Sequence, residues 1–203
     1  MTFPDFFNQI PTITVHDPLA AFLGASEHGL FEYRYEDAVK LTGHSCPTVA
    51  SSYWMTALAL KSMYQDELPT RGGIRVEFMA SRESGATGVM AAVVQMLTGA
   101  AGSDGFKGLS GIFFRNDLMT FGASGVRQIR FIQRDTLRNV DVSVDLSRVP
   151  VQRDLKLLLQ KCLNGNANES ECKLFGEMWQ ERVRRLLLEY GQDPDVFCVV
   201  QGR

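Results

Sequence analysis

Histidine and tryptophan are scarce in this sequence: three and two residues among 203. A site that needs imidazoles must therefore draw on His16, His28 and His44 alone. A surplus of positive charge is also missing. The net charge of −2 excludes a nucleic-acid or anionic-membrane role, since both require a strongly basic surface. No uninterrupted apolar run approaches the roughly 18 to 20 residues that cross a bilayer. The opening "MTFPDFFNQIPTITV" lacks a basic start and carries Asp5 and two prolines where a leader would be apolar. A cytoplasmic location is the expectation. Cysteine occurs four times, at Cys46, Cys162, Cys172 and Cys198, and never as CxxC. That absence argues against a zinc ribbon or knuckle, and reduced thiols in apolar surroundings are expected for the last three.

Enough apolar residues are present, 45% of the chain, to build a core. "TITVHD" reads as a strand ending at His16, and Asp17-Pro18 then opens a short helix that closes near Gly24. "YEDAVKLTG" is a short helix stopping at Gly43. A longer helix begins at Pro47 and runs through Met63 to the loop "DELPTRGG". "GIRVEF" is a strand, and "GATGVMAAVVQMLTG" is apolar nearly all round, as a buried helix is. After the glycine-rich loop that starts at Gly99, "GIFFRNDLMTFG" predicts two strands joined at Asn116–Asp117. "VRQIRFIQ" and "VDVSVDL" alternate as further strands. From Pro150 two amphipathic helices follow, the second capped by Asn168 or Ser170, and "DVFCVV" reads as a last strand. Consecutive strands after a helical layer favour an α+β fold, with a mixed or antiparallel sheet packed against helices and a C-terminal helical pair. The expected division is a core domain over 1–148 and a helical extension over 149–203, packed on the core or on a second copy of the chain.

Chemistry concentrates at "TGHSCPTVASSYW". With Pro47 at the first helical position, Cys46 becomes the N-cap, where serine or aspartate is the ordinary choice. The unpaired N–H groups of the first turn and the helix dipole favour a thiolate there. In an extended segment His44 projects to the same side as Cys46. The pair suits two ligands of one transition-metal ion or a His–Cys nucleophile. A cysteine that is merely a small buried hydrophobe is the plain alternative. For a third ligand the sequence offers His16, which ends a strand just before a helix, or a carboxylate such as Asp17, Glu77 or Glu83. His28, in "GASEHGLF", reads as a surface turn.

The segment "GHSCPTVASSYWMTALAL" resembles the FmdE family of formylmethanofuran dehydrogenase proteins, whose members carry Gly-His-x-Cys-Pro-Gly leading into a helix. The matching residues are Gly43, His44, Cys46 and Pro47, followed by "VVQMLTGAAGSDGFKG" with Gln95, Thr98, Gly99 and Lys107, and the resemblance covers roughly residues 30 to 122. Thr48 replaces the usual glycine and the C-terminus lacks paired cysteines, which marks a divergent bacterial-type member. The resemblance implies an α+β core that dimerises and a cleft, lined by the Gly-His-x-Cys-Pro segment, that can hold zinc or a similar metal. It implies no particular reaction.

Other features are weaker. "GAAGSDGFKG" follows a helix instead of preceding one and lacks the phosphate-loop order, so a strand connection is its plain reading. If it closes over the His44–Cys46 cleft, Lys107 and Ser103 become substrate contacts, and Glu83 joins them from the turn before the buried helix. The stripe Leu174, Met178, Val183, Leu186, Leu187 and Tyr190 is spaced for burial in the core or against a second copy. The expected function is thus a homodimeric FmdE-like protein binding a divalent transition metal, zinc first and nickel or iron next. His44, Cys46 and His16 would be ligands, Cys46 the reactive group, and a small polar molecule the substrate. The alternatives are a metal-free reactive cysteine, or a metal carrier or accessory protein for a molybdenum or tungsten enzyme.

Overall fold

Two stretches of alternating residues at the N-terminus pair before any long helix appears. In the computed structural model, which describes residues 2–202, β1 (Ile13–His16) and β2 (Leu30–Tyr33) form an antiparallel ribbon with Ile13 opposite Tyr33. Between them lies α1 (Pro18–Leu23). Its cap is Asp17, whose carboxylate accepts from the Leu19 and Ala20 N–H groups at 3.0 and 3.2 Å, and Gly24 ends it in the left-handed region (φ 67°). Next come α2 (Tyr35–Thr42) and α3 (Pro47–Tyr64), with the site turn between them.

The main sheet has five strands in the order β4-β3-β5-β6-β7, from β3 (Ile74–Phe78), β4 (Met119–Phe121), β5 (Ile129–Gln133), β6 (Asn139–Val144) and β7 (Phe197–Gln201). Only β3 and β4 run parallel; the remaining neighbours are antiparallel. The period-2 pattern is physical in β3, where Ile74, Val76 and Phe78 are buried while Arg75 is exposed. Helix α4 (Thr87–Thr98) connects β3 to the glycine-rich loop, and α5 (Leu155–Leu163) and α6 (Glu169–Leu188) precede the last strand. The α+β reading therefore holds, with a mixed sheet.

The core is one cluster. Tyr53 and Met55 of α3, Val93 and Leu97 of α4, and Phe131 and Val142 of the sheet share it with Val183 and Leu186 of α6 and with Phe197. Burying a side chain of the size of Met55 or Phe131 contributes about 1.5–3 kcal/mol. The packing of α3 explains its lack of amphipathicity: thirteen of its eighteen residues are buried, because sheet and helices enclose it. Among the described residues no helix is long and apolar enough to cross a membrane.

One expectation fails. Residues 111–118 form no strand, so there is no hairpin at Asn116–Asp117; β4 begins at Met119 and lies parallel to β3. The backbone before it bonds to the glycine-rich loop instead: Ala101 N–H donates to the Arg115 carbonyl, and Leu118 and Met119 N–H to the Ala101 carbonyl. That detour delivers the Arg115 side chain to Asp17 at 2.7 Å. The ribbon strand β2 is a second departure from the expected elements. Its burial alternates only between exposed and half-buried, too faint a signature for pattern reading.

Candidate functional site

The turn between α2 and α3 is set by Gly43 and Pro47. Gly43 caps α2 at φ 77°, a conformation that costs other residues roughly 1 kcal/mol or more. Pro47, locked near the helical φ, starts α3. Three residues remain between them, and each has a distinct environment.

His44 is exposed. Its Nδ1 lies 2.9 Å from the Thr42 carbonyl oxygen. A carbonyl can only accept, so this contact places the proton of the neutral ring on Nδ1 and leaves the Nε2 lone pair free. The same arrangement, a backbone carbonyl fixing the tautomer, is how metal-binding histidines are commonly oriented. Cys46 is extended (φ −148°, ψ 167°), and its Sγ accepts from the Val49 N–H at 3.4 Å. The expected N-cap geometry is thus present, with a half-buried thiol.

Ser45, between them, turns inward. Its hydroxyl is 2.9 Å from the Tyr35 hydroxyl, and its carbonyl accepts from Trp179 Nε1 at 3.0 Å and from Gln180 Nε2 at 3.2 Å. Helix α6 therefore clasps the turn from outside. Burial pushes the Tyr35 pKa well above the ordinary tyrosine value, the hydrogen bond from Ser45 offsetting this in part. Tyr35 stays a neutral phenol, a structural partner and not a base.

The other sequence-derived residues sit elsewhere. His16 closes β1, its N–H donating to the Pro69 carbonyl and its carbonyl accepting from the Arg71 N–H. Asp17 is buried in a triad with Arg71 (2.6 Å) and Arg115 (2.7 Å). Glu83, Ser103 and Lys107 are exposed. Among the described hydrogen bonds and ion pairs, none links these three residues to the turn. Among the described residues, no three His, Cys, Asp or Glu side chains converge to hold a metal ion, so His16 does not join His44 and Cys46. An imidazole nitrogen and a thiol nevertheless make a donor pair suited to zinc and its neighbours, and the fit extends to two ligands.

The remaining cysteines differ from the apolar, inert picture. Cys172 is exposed and Cys162 half-buried, with their thiols hydrogen-bonded; burial and that neighbour raise the Cys162 pKa. Cys198 receives a hydrogen bond from Arg127 Nη1 at 3.4 Å. Two features lie beyond the reach of sequence reading: the α6 clasp and the Asp17 triad. The triad leaves a trace, since Asp17 reads as a cap, but nothing local pairs it with arginines 54 and 98 positions away.

A sequence model described as "FmdE, Molybdenum formylmethanofuran dehydrogenase operon" matches residues 41–190. No curated protein matches the chain. Among solved structures, an FmdE-like protein of a tungsten formylmethanofuran dehydrogenase, from Syntrophus aciditrophicus, is similar, at 18% identity and a TM-score of 0.46 over 84% of this chain and 73% of that one.

Proposed function

The chain belongs to the FmdE family, and from that membership and the geometry of the Gly43–Pro47 turn we propose that it is a cytoplasmic metal-binding protein with His44 and Cys46 as protein ligands. Zinc is the first choice, with nickel and iron next. The observation that carries the reading is the pairing of donors on one turn: an imidazole whose Nδ1 is engaged at 2.9 Å, and a cysteine held at a helix N-terminus. The second feature favours the thiolate form that a metal requires.

With two donors from this chain, the other coordination positions fall to water, a small polar ligand or a second copy. A bound ion of this type would polarise a substrate oxygen or acidify water. This chain's own residues would contribute position: Gly43 and Pro47 fix the backbone, Thr42 orients the imidazole, and Trp179 with Gln180 holds the Ser45 carbonyl. The family's description ties its members to a molybdenum enzyme operon, which is compatible with a metal carrier or accessory role as well as with catalysis.

A second reading is favoured by the lack of a third converging donor among the described residues. Here Cys46 works without metal, as a nucleophile or redox thiol activated by the helix terminus and His44.

Elemental analysis of untagged protein separates the two. Near-stoichiometric zinc, nickel or iron in wild type, lost in both Cys46→Ser and His44→Ala, is the expected result. Metal-free wild type that resists reconstitution would sink the metal reading. Selective alkylation of Cys46 at neutral pH, slowed in His44→Ala, would then establish the thiol reading.

A further inference from the structure

We propose that the cleft between the start of α1, the Thr70–Gly73 turn and the Phe113–Arg115 segment binds a small organic anion through a carboxylate or phosphate group. The cleft has a volume of about 280 Å³ and is lined by Arg71, Arg115 and Arg134, with Pro18, Phe113 and Phe114 as its apolar wall. At roughly 30 Å³ per water this is space for some nine waters, the size of a small metabolite. None of its lining residues belongs to the His44–Cys46 turn.

Charge is the first argument. Three guanidiniums face one cleft, and among the described residues the only carboxylate in ion-pair contact with any of them is Asp17, held by Arg71 and Arg115. Two positive charges are left over. Asp17 is spent behind the wall: its side chain is 5% exposed, and it also caps α1. Such a surplus around a partly enclosed space is costly unless an anion offsets it.

Preorganisation is the second. Arg134 is pinned by donating from Nη1 to the Gly72 carbonyl at 2.7 Å, with its guanidinium 4.3 Å from the centre of the Phe114 ring. Arg71 donates to Asp17 and to the Met96 carbonyl, yet its Nε is buried without a partner. The side chain of Arg115, a residue 8% exposed, has its one described hydrogen bond to Asp17. Its Nη1 lies so close over Gly72 that a Cβ there would come within 1.6 Å. Burial and the neighbouring arginines lower the Arg115 pKa against the pull of Asp17, which is the electrostatic mark of this crowding. Guanidiniums held in place with donors to spare are the geometry that recognises planar carboxylates and phosphates. The surplus of two charges fits a small mono- or dianion and not a polyanion.

The test is calorimetric titration of the full chain at low ionic strength with inorganic phosphate and, separately, with succinate, using chloride as the control. Saturable binding of phosphate or succinate is expected, and the stronger arm identifies the headgroup. Arg134→Gln should weaken it about tenfold or more, as loss of a charge-assisted pair does. Arg134→Lys, which keeps the charge but loses the fork, should fall between. It also decides the matter if the glutamine variant does not fold. Wild type that shows no saturation by either anion overturns the proposal, as does binding that is unchanged in the Arg134 variants.

Discussion

Asp17 does several jobs with two oxygens. Oδ1 accepts from two α1 N–H groups and from Arg115, and Oδ2 accepts from Arg71 at 2.6 Å. Asp17→Asn keeps a cap-forming side chain but strips the only charge that opposes two nearby guanidiniums. We expect a loss of about 3–5 kcal/mol, since breaking a buried pair leaves uncompensated charge, read by urea denaturation. Asp17→Ala should cost about 1 kcal/mol more through the lost cap. At this scale the sequence was partly legible. Cys46 could be placed at a helix start because Pro47 follows it, and Asp17 because Pro18 does. The role of Ser45 could not, since its side-chain partners on α6 are 134 and 135 residues away, and chain-local chemistry says nothing about them.

The α5–α6 hairpin shows what an element can carry by itself. Asn168 caps α6 in a capping box, its side chain accepting from the Glu171 N–H at 2.9 Å while Glu171 accepts from the Asn168 N–H. Glu171 also pairs with Lys161 of α5. That pairing, then the Asn168 N–H, lowers the Glu171 pKa below the ordinary value of 4.5. A carboxyl that is more acidic when folded supports the fold fully above its unfolded pKa, and the support is lost as pH falls through the folded value. Hydrogen exchange of the α5 and early α6 amides, corrected for its intrinsic pH dependence, should therefore stay constant down to about pH 5 and accelerate below it. In Glu171→Gln that acid-linked change should be absent. Long periodic segments such as α3, α4 and α6 were legible because burial repeats along them. The segment before β4 was not, because its residues alternate like a strand while its backbone partners lie in a loop.

Across the whole molecule, the C-terminal residues are joined to the rest by more than contact. Strand β7 adds to β6 at the edge of the main sheet. Trp54, buried in α3, donates from Nε1 to the Gly191 carbonyl at 2.7 Å. In Trp54→Phe that carbonyl would lose its partner in a dry setting, a change worth about 1–3 kcal/mol, alongside some loss of packing. Chemical denaturation should show a shifted midpoint in a single transition, because residues of both parts share one core. The overall class was readable from the order of elements, whereas sheet order was not: β3 sits between β4 and β5, a choice made by packing and not by neighbourhood in sequence.

The clasp on Ser45 also fixes an order of events during synthesis. His44 and Cys46 leave the ribosome long before Trp179, which follows Ser45 by 134 residues. At about 5–20 residues per second, the interval is roughly 7 to 27 seconds. Throughout it the turn exists without the helix that holds its carbonyl, and a nascent chain cut short before α6 would carry both donors on an untethered loop. Maturation of the site is thus timed by the appearance of its most distant support.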